Sequence, residues 1–352
     1  MKLGDLSITY VELLANAVRG LGHDPKPLLQ QFRIEADTLS SPDTRISIPR
    51  FMRLGYQAIE ETRSPWLGLE MGRTGQPSHL GIAGLLALTS PTLKDACLAI
   101  SNYELLSSYN SRGASSFVQS RDNAYLRFYS ISPYNTFNMF VVDSVLSGWH
   151  KLLRDITGWD ITGRGKLVTA IDIEFPAPIY ADKYSEYFGC PVRFNAEHNQ
   201  LVINPKVLST PVTQNCASVH EGLKRIADKE LEQVRLGVSV RESVARTIGP
   251  MLDGSTPELD SVARKLNMAS WTLRRRLQDE GVTFQQVLNE TRQSLAESYV
   301  RETSLTLGEI AYVLGFGSAA AFQRAFKRWT GEAPGRFREL HRDSIQKTHH
   351  IK

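Results

Sequence analysis

Four side chains in the last third of the chain have the spacing and the chemistry to read the edges of DNA bases. Trp271, Arg274, Arg275 and Gln278 recur at i, i+3, i+4 and i+7, which places them on one face of a helix. Arginine can donate two hydrogen bonds to guanine O6 and N7, and an aromatic edge can pack on a thymine methyl group. We predict base reading by Trp271, Arg274 and Arg275, and phosphate contacts or packing for Gln278 and Arg276.

A second set of side chains repeats this arrangement roughly fifty residues later, as an internal duplication would. The outward face of another predicted helix carries Ala320, Gln323, Arg324 and Lys327. We expect Arg324 to read a base, with Gln323 beside it, and we expect Lys327 and Arg328 to meet phosphates or support packing. The run Ala319–Ala321 can offer only apolar contact to thymine methyl groups. This helix is therefore predicted to read few bases and to act more as a clamp on the DNA backbone.

The first set needs a helix-turn-helix to position it. Ser255–Glu258 contains a hydroxyl residue, a proline and an acid, which together are typical of a helix start. The apolar residues of 259–266 follow at helical spacing and give that helix one buried face. Ser270 is predicted to cap the second helix, and Leu273 and Leu277 are predicted to bury its inner side.

A matching pair of helices positions the second set. Thr306–Glu309 forms a capping box before the apolar residues of the first helix of this pair. Ser318 is predicted to cap the next helix, and Gly331 is predicted to end it. Phe322 and Phe326 recur at i and i+4 and should bury its inner side.

One long helix, predicted from Phe284 to Arg301, joins the two units. If both recognition helices enter the same face of B-DNA, they should lie about 34 Å apart in successive major grooves. One monomer could then bind two adjacent groove segments without dimerising. Either unit alone could be an ordinary helical bundle with a solvated basic face. Two capped copies, each with a basic outer face, favour DNA binding.

The second unit contains Gly315-Phe316, Ser318, Phe322, Arg324, Phe326-Lys327, Gly331, Pro334 and Phe337-Arg338. Through these positions, residues 259–338 resemble the DNA-binding domain of the AraC/XylS family of bacterial transcription regulators. The resemblance implies base-reading positions at Trp271, Arg274 and Arg275 in the first unit. In the second unit it implies Ala320, Ala321 and Arg324, with Gln323 adjacent.

The net charge of +4 lies in the C-terminal third of the chain. Residues 238–352 contain 17 lysines and arginines and 13 acidic residues, whereas the residues before them are balanced. Phosphate neutralisation requires such an excess. The excess is modest, and many solvated domains carry as much.

No motif for catalysis, a cofactor or a metal stands out in the sequence. Cys97, Cys190 and Cys216 are scattered and odd in number, which disfavours a disulfide framework and a zinc site. The histidines lack paired spacing, and there is neither a Gly-rich phosphate loop nor a GxSxG motif. The chain has neither a membrane-spanning apolar run nor a signal-peptide core. We therefore expect a cytoplasmic bacterial protein, nucleoid-associated when bound to DNA, without cofactor, metal, membrane partner or enzymatic activity.

The residues before about 206 are predicted to form an α+β domain. Helices are predicted within 6–34, 50–62, 65–71, 90–105, 137–156 and 176–189, and strands at 116–119, 125–130, 166–175, 192–194 and 201–203. The predicted fold is an α+β N-terminal sensor domain followed by an all-α C-terminal domain with two helix-turn-helix motifs joined by a long helix. The expected limits are 1–206 for the sensor, 207–237 for a linker with a helix, 238–345 for the DNA-binding domain and 346–352 for a tail.

The N-terminal half also carries recognisable runs: Arg45-Ile46-Ser47, Gly81–Gly84 followed by Ser90–Leu93, and Phe188–Phe194 with Asn199. Through them it resembles the arabinose-binding-type sensor domain of ornithine- and arginine-responsive regulators, one branch of the same family. That resemblance implies small-molecule sensing and names no molecule.

The sequence favours a transcription factor, and an activator over a repressor, that is controlled by a small effector and contacts promoter DNA and RNA polymerase. The helix within 207–237 fits a homodimer contact and an intramolecular contact equally well. Two alternatives stay open. One is a small-molecule enzyme fused to a DNA-binding domain, and the other is an effector-independent repressor whose N-terminal domain only dimerises.

Overall fold

A computed structural model describes residues 4–41, 44–110, 114–129, 134–159, 166–236, 239–252, 254–302 and 305–346 of the chain. These residues form two compact units. The N-terminal unit contains Gly4–Tyr109 and Ala114–Arg235, and the C-terminal unit contains the described residues from Leu236 onwards. The first combines helices with two sheets and the second is helical, which confirms the predicted fold class. The predicted tail beyond residue 346 lies outside the described residues.

Helices make up most of the N-terminal unit. They are α1 (Thr9–Gly20), α2 (Lys26–Gln31), α3 (Ala36–Ser40), α4 (Ile48–Thr62), α5 (Leu67–Thr74), α6 (Ile82–Thr89), α7 (Leu93–Asn102), α8 (Glu104–Ser107), α9 (Met139–Thr157), α10 (Ala181–Phe188) and α11 (Ala217–Leu236). Two short 3₁₀ turns lie at Pro77–Leu80 and Pro205–Val207. The apolar helix predicted for 137–156 is confirmed as α9, which ends at Gly158 in the left-handed conformation.

A five-stranded sheet forms the β layer against which these helices pack. Its strands are β4 (Ser116–Gln119), β5 (Ala124–Phe128), β6 (Val168–Asp172), β7 (Val192–Arg193) and β8 (Asn199–Ile203), in the order β4-β5-β8-β6-β7. Only β6 and β7 are parallel. Leu201 of β8 lies opposite both Leu126 and Ile171, and all three are buried. The predicted strands are therefore confirmed, and their apolar residues build one core.

A second sheet of three strands was not predicted from the sequence. Its strands are β1 (Gly4–Ser7), β2 (Arg45–Ser47) and β3 (Ser108–Asn110), in the order β2-β1-β3. Leu6 lies opposite Ile46 in an antiparallel pair. The two helices predicted within 6–34 are present as α1 and α2, but Leu6 and Ser7 at the start of that range lie in β1. Strands of three or four residues are too short to show alternation, and their partners lie far along the chain.

Helices α5 and α9 approach each other unusually closely. A Cβ atom at Gly68 would overlap the Phe140 carbonyl group, and one at Gly72 would overlap Ser147. The Ser147 hydroxyl group donates a hydrogen bond to the Gly68 carbonyl oxygen at 3.2 Å. Glycines one helical turn apart therefore bring the two helix backbones together and fix the centre of the N-terminal unit.

Helix α11 packs on the N-terminal unit. Ala227 and Leu231 are buried in its core. The Tyr103 hydroxyl group donates to Asp228 Oδ1 at 2.5 Å. On the same helix, Val219 and Ile226 remain 48% and 52% exposed. The helix thus makes an intramolecular contact along one side and presents apolar side chains on another.

The C-terminal unit consists of seven helices within its described residues. They are α12 (Val240–Met251), α13 (Leu259–Lys265), α14 (Ser270–Asp279), α15 (Phe284–Glu302), α16 (Leu307–Val313), α17 (Ala319–Thr330) and α18 (Pro334–Gln346). The Glu280 carboxylate accepts hydrogen bonds from the backbone N–H groups of Val240 at 2.6 Å and Arg241 at 2.8 Å. This contact ties the start of α12 to the turn after α14.

Across the described part of the chain, no helix is long and apolar enough to cross a membrane. The same residues contain no group of three or more His, Cys, Asp or Glu side chains that could hold a metal ion.

Candidate DNA-binding interface

Helix α14 separates an apolar side from a basic one, as the sequence predicts. Leu273 and Leu277 are fully buried. The residues of the first predicted set, Trp271, Arg274, Arg275 and Gln278, are all exposed, and so is Arg276. Trp271 is 67% exposed. An exposed indole side chain next to arginines suits an intermolecular contact, because tryptophan and arginine are enriched at binding hot spots.

The two central side chains of this face are arranged with respect to each other. The Arg275 guanidinium group lies 5.7 Å from the centre of the Trp271 ring, within the range of a cation–π contact. Arg274, Arg275 and Arg324 make no ion pair with any residue that the structure describes. Their hydrogen-bond donors are therefore free to meet a nucleic acid.

Helix α17 repeats the division of α14. Phe322 and Phe326 are fully buried, and their rings lie 5.7 Å apart. Of the second predicted set, Ala320, Gln323, Arg324 and Lys327 are exposed and Ala321 is half-buried. Arg328 is also exposed. Thus α14 and α17, the two recognition helices, each present a basic face, and the α17 face has small side chains at its N-terminal end.

Helix caps fix the start of both helices in the second helix-turn-helix motif. Thr306 and Glu309 form the predicted capping box, and the Ser318 hydroxyl group accepts from the backbone N–H of Ala321 at 3.1 Å. Hydrogen bonds from Thr306 lower the pKa of Glu309. Gly331 ends α17 in the left-handed conformation. These local predictions are confirmed.

The predicted caps of the first helix-turn-helix motif are wrong. Helix α13 begins at Leu259 without a side-chain cap, and the hydroxyl groups of Ser255 and Thr256 instead donate to the carbonyl oxygens of Met251 and Gly315. Ser270 is the first residue of α14 rather than its cap. The Thr256 hydroxyl group is thus used in a long-range hydrogen bond, and the Ser255 hydroxyl group bonds to the last residue of α12, four residues earlier.

This difference predicts unequal effects of three alanine substitutions. Thr306→Ala and Ser318→Ala should each lower the free energy of unfolding of the C-terminal unit by about 1 kcal/mol, because each removes the acceptor of one backbone N–H group, that of Glu309 or of Ala321. Ser270→Ala is the matched control and should change it by less than about 0.5 kcal/mol. Urea titrations of the three variants would measure this. Equal losses at Ser270 and Ser318 would contradict the assignment of the caps.

Helix α15 joins the two helix-turn-helix motifs and extends from Phe284 to Glu302, as predicted. Leu288 and Leu295 of its apolar face are buried, but so is Arg292, for which the sequence pattern predicted no role. Arg292 follows Leu288 by four residues and precedes Leu295 by three. A charged residue on an otherwise apolar face was the signal that could have identified it.

The Arg292 guanidinium group connects α15 to both helix-turn-helix motifs. Its Nε donates to the Leu314 carbonyl oxygen at 2.8 Å, and Nη2 donates to Thr256 Oγ1 at 2.8 Å and to the Gly315 carbonyl oxygen at 2.9 Å. The group also lies 5.1 Å from the Phe316 ring centre. Burial lowers the pKa of Arg292. One side chain thus holds the turn before α17 and the segment before α13.

Arg338 of α18 makes a second connection to α15. Its Nε donates to the Val300 carbonyl oxygen at 3.0 Å, and its Nη2 donates to the Leu305 carbonyl oxygen at 2.6 Å. These carbonyl groups lie at and beyond the end of α15, where helical partners run out. Arg292 and Arg338 therefore fix α15 against the second helix-turn-helix motif at two points.

Comparison with known proteins finds similarity over both halves of the chain. A model of the N-terminal arabinose-binding domain of AraC transcription regulators matches residues 22–212, and a helix-turn-helix domain model matches residues 262–340. The ornithine utilization regulator of Pseudomonas aeruginosa is 28% identical over 337 residues, covering 94% of this chain and 96% of that protein. The HTH-type transcriptional regulator VirS of Mycobacterium tuberculosis is 25% identical over 341 residues, covering 96% of this chain and 98% of that protein. Among solved structures, the transcriptional regulator CdpR from Pseudomonas aeruginosa aligns with 91% of this chain and 97% of its own at 22% identity, with a TM-score of 0.45.

Proposed function

The chain belongs to the AraC family of DNA-binding transcription regulators, and on that premise we propose that it activates promoters when a small effector binds its N-terminal unit. The observation that carries the DNA-binding part is the exposure of two basic recognition-helix faces on one braced unit. Its N-terminal domain is of the effector-binding type. Membership of a family of transcription regulators favours this reading over the enzyme alternative.

We assign base reading to Trp271, Arg274 and Arg275 on α14 and to Arg324 on α17. The remaining exposed residues of the two faces have supporting roles. Phosphate contacts or packing are assigned to Gln278, Arg276, Lys327 and Arg328, apolar contacts to thymine methyl groups to Ala320 and Ala321, and a neighbouring polar contact to Gln323. Support comes from the exposure of these side chains, apart from the half-buried Ala321, and from the unpaired arginines among the described residues.

We propose domain limits of 1–206 for the sensor, 207–237 for the linker and its helix, 238–345 for the DNA-binding domain and 346–352 for the tail. The family models support the first and third, since they match 22–212 and 262–340. The exposed Val219 and Ile226 of α11 favour a second copy of the chain as a partner of the linker helix. RNA polymerase is the proposed partner of the promoter-bound regulator.

The proposed function is tested in two steps. A binding site is first selected from random duplex DNA with the full chain. Transcription from a promoter carrying that site is then measured with purified polymerase, with and without cell metabolites. We expect a metabolite fraction to raise transcription at unchanged protein concentration. Repression, or affinity and transcription indifferent to every fraction, would contradict the effector-controlled activator and favour the effector-independent repressor.

Lys327→Ala should weaken binding to all DNA sequences by a similar factor, because a phosphate contact carries no sequence information. The slope of log affinity against log salt should become shallower by about 1, the share of one phosphate contact. Lys265→Ala, which removes an exposed lysine from α13, is the matched control and should leave the slope unchanged. A loss confined to one DNA sequence would instead make Lys327 a base reader.

A further inference from the structure

The N-terminal unit contains a largely enclosed cavity of about 80 Å³. It lies between α1, α4, α9 and the 3₁₀ turn before α6, and it is lined mainly by apolar side chains such as Leu13, Phe51, Val141 and Trp149. Two to three water molecules occupy this volume in the liquid, at about 30 Å³ each. A cavity with mostly apolar walls favours a hydrocarbon ligand over a cluster of waters.

The charges around this cavity are unsuited to an anion. Among the described residues that line it there is neither a lysine nor an arginine, and its two acidic residues are Glu104 and Asp155. Asp155 is ion-paired with Lys151. Arg45 is the basic residue near Tyr10, which lines the cavity, and Arg45 is ion-paired with Asp5. A carboxylate or phosphate placed here would be buried without a counter-ion, which is unfavourable.

His79 supplies one polar group at the cavity wall. Its Nδ1 accepts a hydrogen bond from the backbone N–H of Gln76 at 2.9 Å, so the neutral ring carries its proton on Nε2. Burial lowers the pKa of His79, which keeps the ring neutral at pH 7. Nε2 makes no hydrogen bond to any of the described residues and is available as a donor.

Glu104 and Tyr10 supply two more polar groups. The Glu104 carboxyl group accepts from the Ser115 backbone N–H at 2.6 Å and from the Ser115 hydroxyl group at 2.7 Å, which leaves lone pairs on both oxygens. Burial raises the pKa of Glu104 to about 7. Burial also raises the pKa of Tyr10, whose hydroxyl group lies near that of Ser107. Among the described lining residues, Glu104 is the one acidic group without an ion pair that an ammonium ligand could meet, and the cost of burying both charges would offset much of that attraction.

We propose that this cavity binds an uncharged, mainly hydrocarbon alcohol, whose hydroxyl group meets one or more of the polar groups of His79, Glu104 and Tyr10. A hydroxyl group can accept from the imidazole N–H and donate to the carboxyl group, whereas a carbonyl group can do only the first. The site deepens the proposed function, because its role as the effector site rests on that function. Its ligand chemistry is independent of DNA binding.

Three probes with the same butyl chain and different charge test this inference: butan-1-ol, pentanoate and butylammonium. Each is titrated into the full chain without DNA, and binding is followed by ligand-observed NMR. We expect saturable binding of butan-1-ol, at least tenfold tighter than that of either ion. The comparison uses the unmodified chain, so it does not depend on the folding of a variant.

A pair of variants locates the binding. Val145 lines the cavity, so Val145→Phe should fill it and weaken butan-1-ol binding at least tenfold. Val118 is partly exposed on β4 and does not line the cavity, so Val118→Phe is the matched control and should leave binding unchanged. Circular dichroism shows whether both variants fold.

Absence of saturable butan-1-ol binding, or binding of either ion as tight as that of the alcohol, would overturn the inference. Equal affinities of the two phenylalanine variants, both folded, would also overturn it. DNA binding by the same preparation is measured separately. Failure of the alcohol with intact DNA binding rejects the cavity assignment alone, whereas loss of sequence-specific DNA binding with intact alcohol binding rejects the proposed function alone.

Discussion

Replacing Arg292 with methionine should lower the free energy of unfolding of the C-terminal unit by about 3 kcal/mol. Three hydrogen bonds from one charged group are lost at once, and each such bond contributes about 1.5–3 kcal/mol before the remaining partners relax. Two of its three acceptors, the Leu314 and Gly315 carbonyl oxygens, belong to the turn before α17. Urea titration of the full chain, followed by tryptophan fluorescence and circular dichroism, would measure the loss.

The same substitution should also weaken DNA binding, because the second recognition helix would lose its fixed position relative to α15. Arg264→Met is the matched control, since Arg264 is exposed on α13, and it should change stability by less than about 0.5 kcal/mol. Arg292→Lys keeps the charge but cannot reproduce the planar fork of donors, so an intermediate loss is expected. Wild-type stability of Arg292→Met would contradict the bracing role.

Replacing Arg274 with alanine should weaken binding to the selected DNA site by about 1–3 kcal/mol, or roughly 10- to 150-fold. Preference at one base pair should relax at the same time, because a bidentate contact to guanine discriminates against the other bases. Arg274 is exposed and unpaired among the described residues, so the stability of the fold should not change. The measurement compares affinities for the site and its single-base variants at one salt concentration.

Arg264→Ala is the control for this experiment, because it removes the same charge from an exposed position of the same motif outside the α14 face. It should leave the base preference unchanged. An Arg274→Ala variant with an unaltered footprint and unaltered affinity would remove Arg274 from the base-reading set.

Features that depend on nearby residues were predictable from the sequence. The caps at Thr306 and Ser318 and the division of α14 into a buried and an exposed face follow from residues within two helical turns. The cap predicted at Ser255–Glu258 was wrong because the Ser255 hydroxyl group bonds to the Met251 carbonyl oxygen at the end of α12, and the Thr256 hydroxyl group bonds to Gly315, almost sixty residues away in sequence. A local pattern contains no information about such a partner.

Long-range contacts account for what the sequence did not predict. The sheet of β1, β2 and β3 joins short segments that are distant in the chain. The close approach of α5 and α9 depends on Gly68 and Gly72 lying opposite α9, and glycine at such spacing is common for other reasons. The cavity beside His79 and Glu104 is a product of the same packing, so its lining could not be listed before the fold was known.

We propose that two recognition helices, held by α15, read one face of a duplex in successive major grooves. Methylation protection of the selected site by the full chain, at concentrations where it is monomeric, tests this most directly. We predict two protected major-groove segments centred about 10–10.5 base pairs apart, both of which weaken when five base pairs are inserted between them. A single protected segment, or two segments that tolerate the insertion, would contradict the claim.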